Sequence, residues 1–152
     1  MAGHTTTGQP VKALVRPDSV GVMTVSRPDR LNAISAEVAE ALGKVVEGFS
    51  VNPSVRAIVV AGEGKTFCAG ADISELSALG GPAAFARFVS RLTASLDTLA
   101  SCPKPSVAAV HGALSAGVWS WRSHAISGWP SPGRAWACRR SSSACCRPPR
   151  AR

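Results

Sequence analysis

Fifteen residues, Gly62 to Leu76 (GEGKTFCAGADISEL), are where this chain could do chemistry. Small Gly and Ala side chains leave backbone N–H groups uncovered, so a ligand can approach the main chain around Ala69, Gly70 and Ala71. Asp72 with Glu75 three residues later reads as a helix start, whose positive end would face the same region. Donors exposed in this way can hold an anion or the oxyanion that develops on a carbonyl; small residues at such a place also make an ordinary tight connection. Cys68 reads as a small buried filler, because no base or cation is fixed beside it in sequence.

The elements around this segment are those that must position it. Val11–Val15 and Val20–Val25 are β-branched runs separated by Arg16-Pro17-Asp18-Ser19, a turn signal, and predict a hairpin. Ser35 is a suitable N-cap for a helix carrying Val38, Leu42, Val45, Val46 and Phe49 on one stripe. Its solvated side holds Glu37, Glu40, Lys44 and Glu47, and Asn52-Pro53 ends it. Ala57–Ala61 is a short continuous apolar run that predicts a strand covered on both faces, and the loop leaves its carboxyl end, where α/β sheets bind ligands. A helix from near Pro82 places Phe85, Phe88, Val89, Leu92, Leu96 and Leu99 on one side, and Ser106–Val110 predicts the next buried strand. Strands alternating with amphipathic helices predict parallel pairing and an α/β fold.

The whole chain has 152 residues, 45% of them apolar, with 17 Lys and Arg against 9 Asp and Glu. This suits one modest globular domain and excludes a wholly disordered polymer. The sequence holds no run of ~20 apolar residues and no basic-then-apolar leader, so no membrane is expected and the cytoplasm is the default location. The five cysteines (Cys68, Cys102, Cys138, Cys145, Cys146) form no CxxC pair, which points to free thiols and no structural zinc. The charge is unevenly spread. Residues 1–112 hold ten Lys and Arg against nine acids, whereas the last forty hold seven Arg, no acid and all four Trp.

The strings RPDRLNAIS, KTFCAGADISEL and CPKPSVAAVHGA occur in that order and together strongly resemble the enoyl-CoA hydratase/isomerase (crotonase) superfamily. The resemblance covers residues 11–113. It implies a spiral of repeated ββα units, assembly as trimers or hexamers, and action on acyl-CoA thioesters, with CoA as part of the substrate and no metal or redox cofactor. It further implies that the Ala69 backbone N–H is one of two oxyanion donors, that Ala69, Gly70, Ala71 and Asp72 line the acyl and pantetheine path, and that Arg30 and Leu31 border the CoA nucleotide. Arg30 read without the resemblance is equally an ordinary solvated turn arginine. His111 reads as structural.

Residues 114–152 leave the pattern. Relatives continue with a Gly-rich turn supplying the second donor, followed by catalytic glutamates; here there is no carboxylate and no period of 2 or 3.6. This basic tail is expected to be disordered, as are residues 1–10. GC-rich codons for Leu114 onward, read from the last base of each, give LGGGLELALACDLRV, which is what the family would show after HGA. A frameshifted tail on a truncated family domain follows, with little or no hydratase activity. Non-catalytic capture of CoA or of a complete subunit is one alternative; non-specific nucleic-acid binding by the seven Arg and interleaved Trp is another, and an unfavoured one.

Overall fold

The computed structural model describes residues 9–112 and the backbone of Trp136–Cys138. Strands β1 (Val11–Val15) and β2 (Val20–Val25) form the expected antiparallel hairpin, closed by Ser19 in the left-handed region (φ 64°). Helix α1 (Ala36–Val51) starts at Ser35, whose side chain accepts from the Val38 N–H, and stops at Asn52. Strand β3 (Ala57–Gly62) pairs parallel with β2. A short helix α2 (Ile73–Ser77) and a long one, α3 (Pro82–Ser101), lead to β4 (Ser106–Ala108), parallel to β3. β5 (Trp136–Cys138) pairs antiparallel with the outer edge of β4, so the sheet order is β1-β2-β3-β4-β5.

Strands β2 and β3 each lead through a connecting segment to a helix. β2 continues through Ile34 into α1, and β3 continues through Ala71 into α2 and α3; Ile34 and Ala71 pair with each other in a parallel bridge. The resulting α/β architecture is the spiral of ββα units expected from the sequence, with the second strand of each unit reduced to a few residues.

Successive crossovers of one hand, along a sheet whose order never reverses, put α1 and α3 on the same face. There Val38, Leu42, Val46 and Phe49 of α1 and Leu96 and Leu99 of α3 form one core with Met23, Val25, Ile58, Val60 and Ala108. Gly21 permits this packing, since a Cβ there would lie 2.9 Å from the Phe49 ring. β3 is therefore fully covered on one face only: Ile58 and Val60 are buried while Ala57, Val59 and Ala61 are half-buried. Across the second face Leu14, Val22, Val59 and Val107 lie in register, an apolar row over four strands.

The stripe predicted for α3 is narrower than its spacing implied. Phe88, Leu96 and Leu99 are buried, but Phe85 and Val89 are 51% and 40% exposed, because the first turns of α3 project beyond α1. Strand β4 ends at Ala108, earlier than the predicted Val110. Cys68 and Cys102 are free and buried. No helix among the described residues is long and apolar enough to cross a membrane. The expectations for residues 1–8 and for the tail outside β5, including its disorder, lie outside the described residues.

Candidate functional site

Two segments build the site, the turn from Arg27 to Ser35 after β2 and the loop from Glu63 to Glu75 after β3. Backbone bonds zip them together: Ala69 N–H donates to Leu31 O (3.0 Å), Ile34 N–H to Gly70 O (2.8 Å) and Asp72 N–H to Ile34 O (3.0 Å). In a planar trans peptide the C=O and N–H point in opposite directions. Because Gly70 O and Asp72 N–H both face Ile34, the intervening Ala71 N–H and C=O face away. Gly70 makes the change of direction after Ala69 possible, at φ 102°, a conformation an L side chain rarely adopts. The Ala71 N–H meets no acceptor among the described residues.

The amide to which the resemblance pointed is not open to a ligand: the Ala69 N–H is committed to Leu31 O, whereas the Ala71 N–H, two residues later, meets no acceptor among the described residues. The helix end does not add donors as expected either. Asp72 Oδ1 accepts from the N–H groups of Ser74 (3.1 Å) and Glu75 (3.4 Å), so these two amides of α2 are taken by its own cap and only that of Ile73 meets no acceptor among the described residues in this turn. Glu75 does not complete a reciprocal box: its Oε2 accepts from Ala36 N–H (3.0 Å) at the start of α1.

Ion pairs fix the same two segments. Arg27 donates to Asp72 Oδ2 (3.0 Å) and to Ala33 O (2.9 Å), and Asp72 is 6% exposed. Burial pushes the Asp72 carboxyl up, but the Arg27 guanidinium and the Glu75 and Ser74 amides together outweigh it and hold the group below its ordinary range. Glu63 accepts from both Lys12 and Ser26; the Lys12 bond first, then that of Ser26, holds its carboxyl low. Burial raises the Cys68 thiol, whose Sγ accepts from Gly70 N–H at 3.3 Å.

Asn32, which belongs to the string RPDRLNAIS, is completely buried and left-handed (φ 57°). Its Oδ1 accepts from Arg27 N–H (2.9 Å) and its Nδ2 donates to Glu63 O (2.8 Å) and Thr66 O (2.6 Å). An asparagine in the turn that follows Pro28 was the available signal, since Asn tolerates this backbone better than most residues. Beside it a cavity of about 340 Å³ is lined by Pro28, Leu31, Glu63, Lys65 and Thr66 among others. Leu31 is 55% exposed, and the exposed Arg30 donates to Ser74 Oγ (3.2 Å). His111 ties in the end of β4: its ring nitrogens lie 3.0 Å from Gly64 O and 3.3 Å from Ala109 O, and its carbonyl accepts from Phe67 N–H.

The sequence profile described as "Enoyl-CoA hydratase/isomerase" matches residues 16–120. The chain belongs to this family. It is 43% identical over 94 residues to a Mycobacterium tuberculosis protein named "Probable enoyl-CoA hydratase EchA14", covering 62% of this chain and 36% of that protein. A Bacillus subtilis protein named "Probable enoyl-CoA hydratase" is 36% identical over 98 residues, covering 64% and 38%. Among solved structures, an enoyl-CoA hydratase/isomerase family protein from Hyphomonas neptunium superimposes with TM-score 0.71 at 29% identity, over 76% of this chain and 45% of that one. An enoyl-CoA hydratase from Mycobacterium smegmatis gives TM-score 0.65 at 32% identity, over 68% and 40%. The chain thus spans less than half the length of these relatives.

Proposed function

We propose that this member of the enoyl-CoA hydratase/isomerase family binds acyl-CoA thioesters and polarises the thioester carbonyl, with little or no turnover of its own. The observation that carries the reading is the Ala71 N–H, held outward between two peptides that are both bonded to Ile34. A preorganised donor of this kind strengthens its bond as negative charge gathers on the thioester oxygen. Gly70, Ala71 and Asp72 would border the acyl and pantetheine path, and Ala69 would serve by tying the loop to Leu31. Arg30 and Leu31, with Lys65 at the neighbouring cavity, suit the phosphates and base of CoA.

Hydration of a 2-trans-enoyl thioester needs water added at the β-carbon, the π electrons drawn toward the thioester oxygen, and a proton delivered to the α-carbon. A base and an acid must serve the two ends. The carboxylates beside the loop are engaged elsewhere: Asp72 with Arg27, Glu63 with Lys12 and Ser26, Glu75 with the α1 amide. Asp72 and Glu63 are further held ionised by those partners, which weakens them as bases. The last acid in the sequence is Asp97. Binding without hydration follows. It is consistent with a frame break near Ala113 or Leu114 that replaces a longer family sequence.

Calorimetry with CoA and with crotonyl-CoA tests this reading on the full 152-residue chain, alongside a crotonyl-CoA hydration assay. Saturable binding with turnover at the blank rate is the expected result. Absence of binding removes the CoA reading, and turnover above a matched blank removes the claim of inactivity.

A further inference from the structure

Asn32 is chemically unlike its surroundings: a neutral amide with no exposed surface, among backbone groups from the two segments that build the site. Both polar atoms of its side chain have partners, and each partner belongs to a part of the site. Arg27 N–H lies at the end that carries the guanidinium for Asp72, Glu63 O lies where β3 ends, and Thr66 O lies just before the loop that carries Ala71. Its neighbour Leu31 is also left-handed (φ 51°), and Leu31 O is the acceptor for Ala69 N–H. Two consecutive left-handed residues are costly for L amino acids and persist only where the surroundings over-determine them.

Resting on the reading of Ala71 as a thioester donor, we infer that Asn32 is the positioning residue for that donor. By fixing Thr66 O and Glu63 O it sets the height of the loop above Ile34, and by holding the Leu31–Asn32 turn it presents Leu31 O to Ala69. The peptide after Gly70 then has one place to go, with the Ala71 N–H outward. Asn32 touches no reacting atom in this scheme. Aspartate would keep the shape and the acceptor for Arg27 N–H but would set a carboxylate oxygen against the carbonyls of Glu63 and Thr66. Serine or alanine would leave buried carbonyls without donors, a penalty paid by the loop.

The infrared stretch of the thioester C=O, isolated with ¹³C-labelled crotonyl-CoA at saturation, reads the donor directly because a hydrogen bond to that oxygen lowers its frequency. Recording it at saturation keeps weaker binding from imitating a lost donor. The expected result is a downshift on the native full-length chain that is lost in Asn32→Asp, with the far-UV circular dichroism spectrum retained. A downshift of native size in folded Asn32→Asp overturns the inference and leaves the donor reading standing. A native protein that binds without a downshift overturns the donor reading, and the inference falls with it. Should Asn32→Asp not fold, Asn32→Gly keeps the left-handed backbone and is expected to lose the downshift as well. On the native chain, the Asn32 side-chain amide resonances should move with crotonyl-CoA and not with CoA; resonances equally unmoved by both count against the inference.

Discussion

Leu31 O accepts the Ala69 N–H at 3.0 Å, and this one bond closes the Ala69 amide to a ligand. With Ala69 tied down, the loop reverses at Gly70 and returns to Ile34, leaving Ala71 as the outward donor. The turn after β2 is thus part of the site although it carries none of the amides that would touch substrate.

The Arg27–Asp72 pair should dominate the stability of this junction. Arg27→Ala leaves a buried carboxylate without its cation and is expected to cost about 3 kcal/mol. Urea unfolding of the variant beside the native chain measures it, and a difference under 1 kcal/mol would mean that the backbone zipper suffices.

The same pair fixes a pH dependence. The Asp72 carboxyl lies below its ordinary value of 3.8 in the folded chain, so its stabilisation is complete above that value and is lost as pH falls through the lowered one. Thermal midpoints should therefore fall with acidification below the ordinary carboxylate range, and Asp72→Asn should flatten that part of the curve. Superimposable native and Asp72→Asn acid limbs would contradict this.

Glycines divide into those the site needs and those it does not. A Cβ at Gly112 would lie 2.0 Å from Lys65 O on a backbone at φ 70°, whereas one at Gly48, in α1, would meet nothing within 4 Å. Gly112→Ala should cost about 2–3 kcal/mol through forced displacement of the loop. Gly48→Ala should stabilise by about 0.5–1 kcal/mol through helix propensity. Thermal denaturation of the two variants is expected to move in opposite directions.

The Arg30 side chain is exposed and, among the described residues, bonded to Ser74 and, at 4.0 Å, to Asp29, so it is available to a phosphate. Arg30→Ala should weaken CoA binding about five- to tenfold, as loss of an exposed hydrogen bond of about 1 kcal/mol does, and reduce its salt dependence. Calorimetry at two ionic strengths separates this from an unchanged affinity, the outcome for a turn arginine with no ligand.

Re-reading the coding DNA across codons 110–125 is expected to show a single-base change of frame that restores LGGGLEL after the HGA at residues 111–113. An unaltered frame would make the Arg-rich tail a genuine part of the protein.

Much of the scaffold was legible in local signals. The Pro-Asp turn between two β-branched runs, the Ser35 cap, the Asn-Pro stop and the Pro82 start depend on neighbours a few residues away, and each element formed where those signals lay. The family motifs likewise marked the loop from Gly62 to Leu76 as the place for chemistry. Local pattern misled where a distant partner competed for the same group. Glu75 has the spacing of a reciprocal cap for α2, yet the α1 amide at Ala36 lies within reach once the two helices start side by side. Phe85 and Val89 share the period of the buried α3 stripe, but burial depends on how far α1 extends beside them.

By itself, then, the sequence determined the order of strands and helices, the family and the loop that matters, because capping, turn chemistry and hydrophobic period act over a few residues. Only the tertiary structure decided that the Ala69 amide is closed and that of Ala71 open, and that Asn32 bonds to both sides of the junction. The direction of a peptide plane is set by the carbonyls and amides it meets, and here those come from segments some thirty to forty residues away along the chain.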